Sequence, residues 1–159
     1  DMRSQLMSEL KAAMKAKDSL KSTVFRSVLS EVYATDKAPS TKDGVTSSST
    51  IVGIMRKGAQ RRLDTAKLYE QSSRPELAAK EKQEAEILQG LLPPLLSEAE
   101  VDKVIQEIII DRADYRLSDD PNPKRRKQLI TRFFYERVDK SRVDGGLVNR
   151  RIDASILGS

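Results

Sequence analysis

The side chains with the greatest chemical potential in this 159-residue chain are cations near its C-terminal end. Lys124, Arg125, Arg126 and Lys127 are consecutive, and Arg132, Arg137, Lys140, Arg142, Arg150 and Arg151 follow at irregular intervals. Guanidinium and ammonium groups at that density bind phosphate oxygens, which gives affinity for a polyanion without reading its sequence. Residues 124–159 hold ten basic and four acidic side chains, a net of +6, whereas 97–123 hold three basic and eight acidic, a net of −5. The charge is polarised along the chain, and the tail is a candidate polyanion surface. The competing reading is a solvated face whose cations balance Asp119, Asp120 and Glu136. No aromatic pattern for stacking single-stranded bases is interleaved with these cations, so RNA recognition here would rest on shape and phosphate contacts.

Three further residues stand out by position. In the segment 51–69 the apolar arc of Val52, Met55, Ala59, Leu63, Ala66 and Tyr69 includes Arg62. In the segment 74–90 the arc of Leu77, Ala78, Ala85 and Leu88 includes Glu81. If the two segments fold back on each other at Ser72-Ser73, Arg62 comes level with Glu81 or its neighbour Glu84, and a structural ion pair results. Use of such a carboxylate as a general acid or an RNA-facing charge stays open at this level. Paired charges across a helix interface are nevertheless the common way of burying these groups.

Much other chemistry is closed to the chain. With no Cys and no His, it lacks disulfides, thiol catalysis, thiolate metal sites and the commonest neutral-pH base and metal ligand. The spacing Gly-x-x-x-x-Gly-Lys-Ser/Thr is also missing, so Ser47 to Thr50 read as an ordinary cap for a helix from Ile51 in preference to an anion site. No catalytic residue, metal site or cofactor is expected, although a Ser-Lys arrangement is not ruled out by composition. No apolar run approaches the roughly 18 residues needed to span a bilayer, so no membrane span is expected.

Seven helices would position these groups. Met2, Leu6, Leu10 and Ala13 mark the first, which meets a break near Lys17; Asp18 caps the second, where Leu20, Val24, Val28 and Val32 form an apolar face that fades after Tyr33. Residues 35–50 are rich in Ser and Thr without periodicity and are expected to form a mobile loop before the helix from Ile51. The fourth helix is expected to be capped by Ser72 or Ser73, with Pro75 at its first position, Glu76 in its first turn and Gly90 as a left-handed C-terminal cap. Pro93 and Pro94 forbid its continuation. Ser97-Glu98-Ala99-Glu100 is a capping box that opens a fifth helix, in which Val101, Val104, Ile105, Ile108 and Ile109 face inward. A loop over 115–123 precedes a sixth helix bearing Leu129, Ile130, Phe133, Phe134 and Val138, and Asp144-Gly145-Gly146 separates it from a seventh bearing Leu147, Val148, Ile152 and Ile156. An apolar fraction of 38% with 4% aromatics and no Trp favours aliphatic packing between helices over a β-sandwich. The expected architecture is all-α, with an N-terminal helical bundle over 1–96 and a small three-helix domain over 97–159.

These segments resemble the GatB/YqeY family. RPELAAKEKQEAEILQGLLPPLLSEAEV resembles that family's helix and Leu-Pro exit, QRRLDTAKLYE resembles the segment before it, and ELKAAMKAKDSLKSTVFRSVLSEV resembles its first two helices. VDGGLVN, through Asp144, Gly145, Gly146 and Asn149, is similar to the Ala-Asp-Gly-x-x-Val-Asn turn of the family's small C-terminal domain. The resemblance implies a C-terminal three-helix domain like the tail of the GatB subunit of the glutamine-dependent tRNA amidotransferase, a tail associated with tRNA. It therefore implies tRNA or amidotransferase subunits as partners, and a link to carbon–nitrogen ligation with glutamine as amide donor. The chain's own residues offer no centre for that reaction, so the label would belong to a complex. On this reading Lys124, Arg125, Arg126, Lys127, Arg132, Lys140, Arg142, Arg150 and Arg151 contact tRNA phosphates. The alternative is a helical adaptor that binds a protein and no RNA. KRRKQLITRFFYERVDK replaces the Met-Gly and Met-Pro positions that family members often carry before the Asp-Gly turn, and both loops are longer than in bacterial members. Together with a start at Asp1 in place of Met, these departures point to the fungal branch named for altered inheritance of mitochondria, with a mitochondrial matrix location expected and a cytoplasmic one as the alternative.

Overall fold

The computed structural model describes residues 1–158, and every regular element among them is helical. Seven α-helices run in order: α1 Met2–Lys15, α2 Ser19–Asp36, α3 Ser48–Gln71, α4 Pro75–Gln89, α5 Glu98–Asp111, α6 Pro123–Arg137 and α7 Gly145–Leu157, with short 3-10 turns at Lys42–Gly44, Ala113–Tyr115 and Lys140–Arg142. They form two compact units, Asp1–Leu92 and the part that begins at Pro93.

In the first unit the helix starts are written locally. The carboxylates of Asp1 and Asp18 accept from the amides of Ser4 and Lys21 at 2.8 and 3.0 Å, and Ser47 Oγ accepts from Thr50 N at 3.2 Å. Each bond satisfies an amide that the helix itself leaves without a partner. Lys17, in the left-handed region at φ 57°, reverses the chain between α1 and α2. The core joins Leu6, Val24, Phe25, Val28, Val32, Ile51, Met55, Ala85 and Leu88 from all four helices.

The α3–α4 turn differs from the expected capping. Ser72 is the C-cap of α3, Ser73 takes the left-handed conformation at φ 57°, and Arg74 is the N-cap of α4 without a side-chain cap bond. The amides of Ser73 and Arg74 bond back to the carbonyls of Glu70 and Tyr69, so the two serines close α3 and do not open α4. Gly90 is right-handed at φ −63°, since the chain keeps winding through the bonds of Leu91 N to Leu88 O and Leu92 N to Gln89 O until Pro93 halts it.

Arg62 pairs across this hairpin with Glu84, not with Glu81. Its Nε donates to Glu84 Oε2 at 3.2 Å and its Nη1 to Gly58 O at 3.0 Å, and both side chains are only about 15% exposed, at 15% and 14%. Glu81 is half-buried and makes no ion pair among the described residues. The choice follows from geometry. Helical side chains lean toward their own N-terminus, so Arg62 reaches back along α3, and in the returning helix that direction leads to the residue one turn after Glu81.

Residues 35–50 are tied down, contrary to the mobile loop expected from composition. α2 continues to Asp36, whose carboxylate accepts from Arg3 Nη1 and Nη2 at 3.1 and 2.7 Å, from Thr46 N at 2.8 Å and from Thr46 Oγ1 at 2.6 Å. Thr46 itself is buried. The Arg3 guanidinium first, and then the Thr46 hydroxyl and amide, hold the Asp36 carboxyl well below the usual carboxylate range.

In the second unit the Ser97–Glu100 capping box is closed in both directions at 3.2 Å, Asn122 Oδ1 caps α6 through Arg125 N at 3.1 Å, and Asp144 caps α7. The core is Val101, Ile105, Ile108, Ile130, Phe133, Phe134, Val148 and Ile152, with Leu117 inserted from the α5–α6 connection.

Two outcomes test these contacts. A double-mutant cycle on Arg62→Met and Glu84→Leu is expected to give a coupling of about 0.5–3 kcal/mol, and the same cycle with Glu81→Leu no coupling; urea melts of the four proteins measure it, and equal coupling at both glutamates would contradict the pairing. Asp36 has a lower pKa folded than unfolded, so its stabilisation is complete above about pH 4, the unfolded value, and is lost as the pH falls through the folded value. Stability followed from pH 6 to pH 2.5 should fall less steeply at the acid end for Asp36→Asn than for the parent, with the variant the less stable of the two at pH 7.

Candidate nucleic-acid interface

The structure divides the basic tail into cations already engaged and cations left over. Arg126 belongs to the core: it is 9% exposed, and its Nε donates at 2.8 Å to the carbonyl of Leu117. This corrects the expectation that it reaches phosphate. One helical turn of four consecutive cations points in four directions, and the inward one anchors the α5–α6 connection. Its neighbours are engaged outside the core. Arg125 binds Asp120 and, at 3.3 Å, Tyr115 O, and Lys127 binds Asp153 at 2.8 Å. Among the four, Lys124 is exposed and has no ion pair within the described residues.

The same pattern continues along α6 and α7. Arg132 and Arg137 pair with Glu136 and Asp111 at 3.4 and 3.0 Å. Arg151 makes a two-pronged contact with Asp102 at 2.7 and 2.9 Å and also meets Glu98 at 3.2 Å, and the Asp102 bonds raise its pKa. The acidic block 97–123 thus engages Arg125, Arg137 and Arg151, while Glu136 and Asp153 of the basic block engage Arg132 and Lys127.

Apart from Lys124, what remains is gathered at the start of α7. Lys140 and Arg142 lie on the 3-10 turn just before it, and Arg150 on its second turn; all three are exposed and none has an ion pair among the described residues. Lys140 Nζ sits 5.7 Å from the centre of the Tyr135 ring. The Tyr135 hydroxyl lies 3.9 Å from where a Cβ on Gly145 would be, and burial, then the charge of Asp144, pushes the Tyr135 pKa up. A Cβ on Gly146 would stand 3.3 Å from Asp144 Oδ1 and 3.4 Å from Arg150 Nη1, so the glycine lets the cap carboxylate and the guanidinium share one bare turn. Asp144 is occupied in accepting from Gly146 N at 2.9 Å, and Asn149 is exposed on α7. Arg142 also contributes, after the Ser97 amide and hydroxyl, to lowering the Glu100 pKa. Tyr135 was not singled out from sequence, because an aromatic within a helical apolar stripe gives no separate signal.

A sequence model of the family described as Yqey-like protein matches residues 3–155, nearly the whole described chain. The chain belongs to the YqeY-like family. It is also 35% identical over 108 residues to the protein named altered inheritance of mitochondria protein 41, mitochondrial, of Vanderwaltozyma polyspora. That match covers 67% of this chain and 57% of the yeast protein, so the chain spans somewhat more than half the length of this curated relative. With the family match and this mitochondrial relative, the chain is a YqeY-like mitochondrial protein.

The division among the cations is testable by stability alone. Arg126→Gln should lower the unfolding free energy by about 1–3 kcal/mol, since it strips the Leu117 carbonyl of a buried donor. Lys124→Gln should stay within about 0.5 kcal/mol of the parent. Thermal melts of the two variants compare them directly, and equal melting temperatures would return Arg126 to the surface set.

Proposed function

We propose that this YqeY-like protein holds the backbone of tRNA through its second unit and acts as an accessory to tRNA-dependent amide transfer in mitochondria, without a catalytic centre of its own. The observation that carries the reading is the gathering of Lys140, Arg142 and Arg150, exposed and without ion pairs among the described residues, around the Asp144-Gly145-Gly146 turn. Side-chain-free backbone at Gly145 and Gly146 lets a ribose-phosphate strand approach closely, and three cations around it supply contacts that follow the shape of a folded RNA. The resemblance of that turn to the tail of a tRNA amidotransferase subunit supports the same partner. Amide transfer itself falls to other subunits in this reading, and the isolated chain has no glutaminase role.

The contiguous run 124–127 has a smaller part than its sequence advertises, since Arg126 is buried and Arg125 and Lys127 are held by carboxylates. Replacing Lys140, Arg142 and Arg150 together by Gln should weaken binding to all tRNAs alike. The slope of log affinity against log salt should shrink by about 0.7–0.9 for each phosphate contact removed, roughly two units or somewhat more in all. Changing Arg125 and Lys127 to Gln should move that slope much less. Filter binding of a tRNA mixture at several salt concentrations measures both. An unchanged slope in the triple variant would remove this turn from RNA recognition, and no tRNA binding by the parent at physiological salt would leave a protein-binding adaptor as the better reading.

A further inference from the structure

The densest set of unpaired cations in the described chain is not in the tail. Residues 10–30 contain Lys11, Lys15, Lys17, Lys21 and Arg26 against one acidic side chain, Asp18, and none of the five cations has an ion pair among the described residues. Asp18 is already engaged as the cap of α2, accepting from Lys21 N at 3.0 Å. Two of the five, Lys17 and Arg26, line an open cavity of about 370 Å3 where α1 hands over to α2, together with Met14, Ser19, Ser22 and Thr23.

Two features make this more than a solvated corner. Ser19, Ser22, Thr23 and Arg26 share one face of α2, so a single helix supplies one wall. Lys17 joins the lining from a turn held in the left-handed conformation by the bonds of Lys17 N to Met14 O and Asp18 N to Ala13 O. The Arg26 guanidinium is steadied at the cavity by Met14 Sδ, which accepts from its Nη2 at 3.1 Å. A thioether is a weak acceptor with no charge, so it orients the guanidinium while leaving its charge and other N–H groups uncompensated. Ser22 and Thr23 turn their hydroxyl protons onto the carbonyls of Asp18 and Ser19, and the Ser19 hydroxyl makes no hydrogen bond among the described residues.

We propose that this corner binds a phosphate group, with Arg26 and Lys17 meeting its charged oxygens and the Ser19 hydroxyl donating a further hydrogen bond. The chemistry fits a tetrahedral dianion or a backbone phosphodiester, since two charge-assisted N–H donors and a hydroxyl line one cavity. The site stands apart from the tRNA reading of the second unit, because none of its residues is used there.

The test is a titration of the full-length, 15N-labelled protein followed by NMR at the amides of residues 17–26. One arm uses inorganic phosphate, with sodium chloride of equal ionic strength as control, and a second uses a tRNA mixture. Saturable shifts with phosphate, absent with chloride, are expected in the parent. Lys17→Asn with Arg26→Gln should weaken phosphate about tenfold or more, the loss expected when two charge-assisted contacts go; Asn keeps the left-handed turn, and the circular dichroism melt verifies that the variant is folded. If tRNA shifts the same amides and excess phosphate reverses this, the physiological source is RNA backbone; if phosphate alone acts, it is a small phosphorylated ligand. A response to neither probe, shifts equal to those with chloride, or shifts that the double variant retains would overturn the site. Variants at Lys140, Arg142 and Arg150 are expected to leave the phosphate-induced shifts unchanged, so failure here and failure of the second unit to bind tRNA are separate results.

Discussion

The close approach of α3 to α4 is the constraint from which the first unit is built. Gly58, Ala59, Ala66, Ala78 and Ala85 are all buried, and two helices can lie nearly in backbone contact only where neither presents more than a methyl group. Such an interface buries little apolar surface per residue, so it specifies register weakly by itself. Register comes from the few larger groups that must fit beside it. Leu88 lies against Gly58, where an added Cβ would be 3.5 Å from its Cδ1, and Arg62 spans from the Gly58 carbonyl to Glu84. Once that hairpin is set, Met55, Ile51 and Val52 offer a fixed surface to Val24, Phe25, Val28 and Val32 of α2.

In the second unit the organising constraint is electrostatic. The acidic and basic blocks that look like a polarised chain belong to the same three-helix body, and they meet. Asp120 takes Arg125, Asp111 takes Arg137, and Asp102 and Glu98 take Arg151, while within the basic block Asp153 takes Lys127. Most of these pairs are exposed enough to contribute little stability each. Their larger effect is to decide which cations stay available. Those with no ion pair among the described residues include Lys140, Arg142 and Arg150 around the glycine turn and Lys124 at the start of α6 in this unit, and Lys17 and Arg26 of the α1–α2 corner in the other. A functional surface for anions is in this sense what intramolecular pairing leaves uncovered.

The sequence alone was enough for the all-helical class, for seven helices in order and for membership of the YqeY-like family. It was also enough for the caps at Asp18, Ser47 and Ser97 and for the Asp144-Gly145-Gly146 break before α7. These depend on interactions within one or two helical turns, where side-chain type and spacing determine the outcome. Tertiary structure decided the rest. Glu84 was chosen over Glu81, Arg126 was drawn inward to Leu117, Asp36 pinned a Ser/Thr-rich loop to α1, and Ser72 and Ser73 closed α3 where a start for α4 was expected. Arg62 and Glu84 are 22 residues apart in the chain, Arg3 and Asp36 are 33 apart, and Arg151 and Asp102 are 49 apart. Helical periodicity fixes which face a side chain lies on. Which partner it meets over such distances depends on how far one helix slides along another, and that is set only when larger groups such as Leu88 and Arg62 seat beside the small residues in the folded chain.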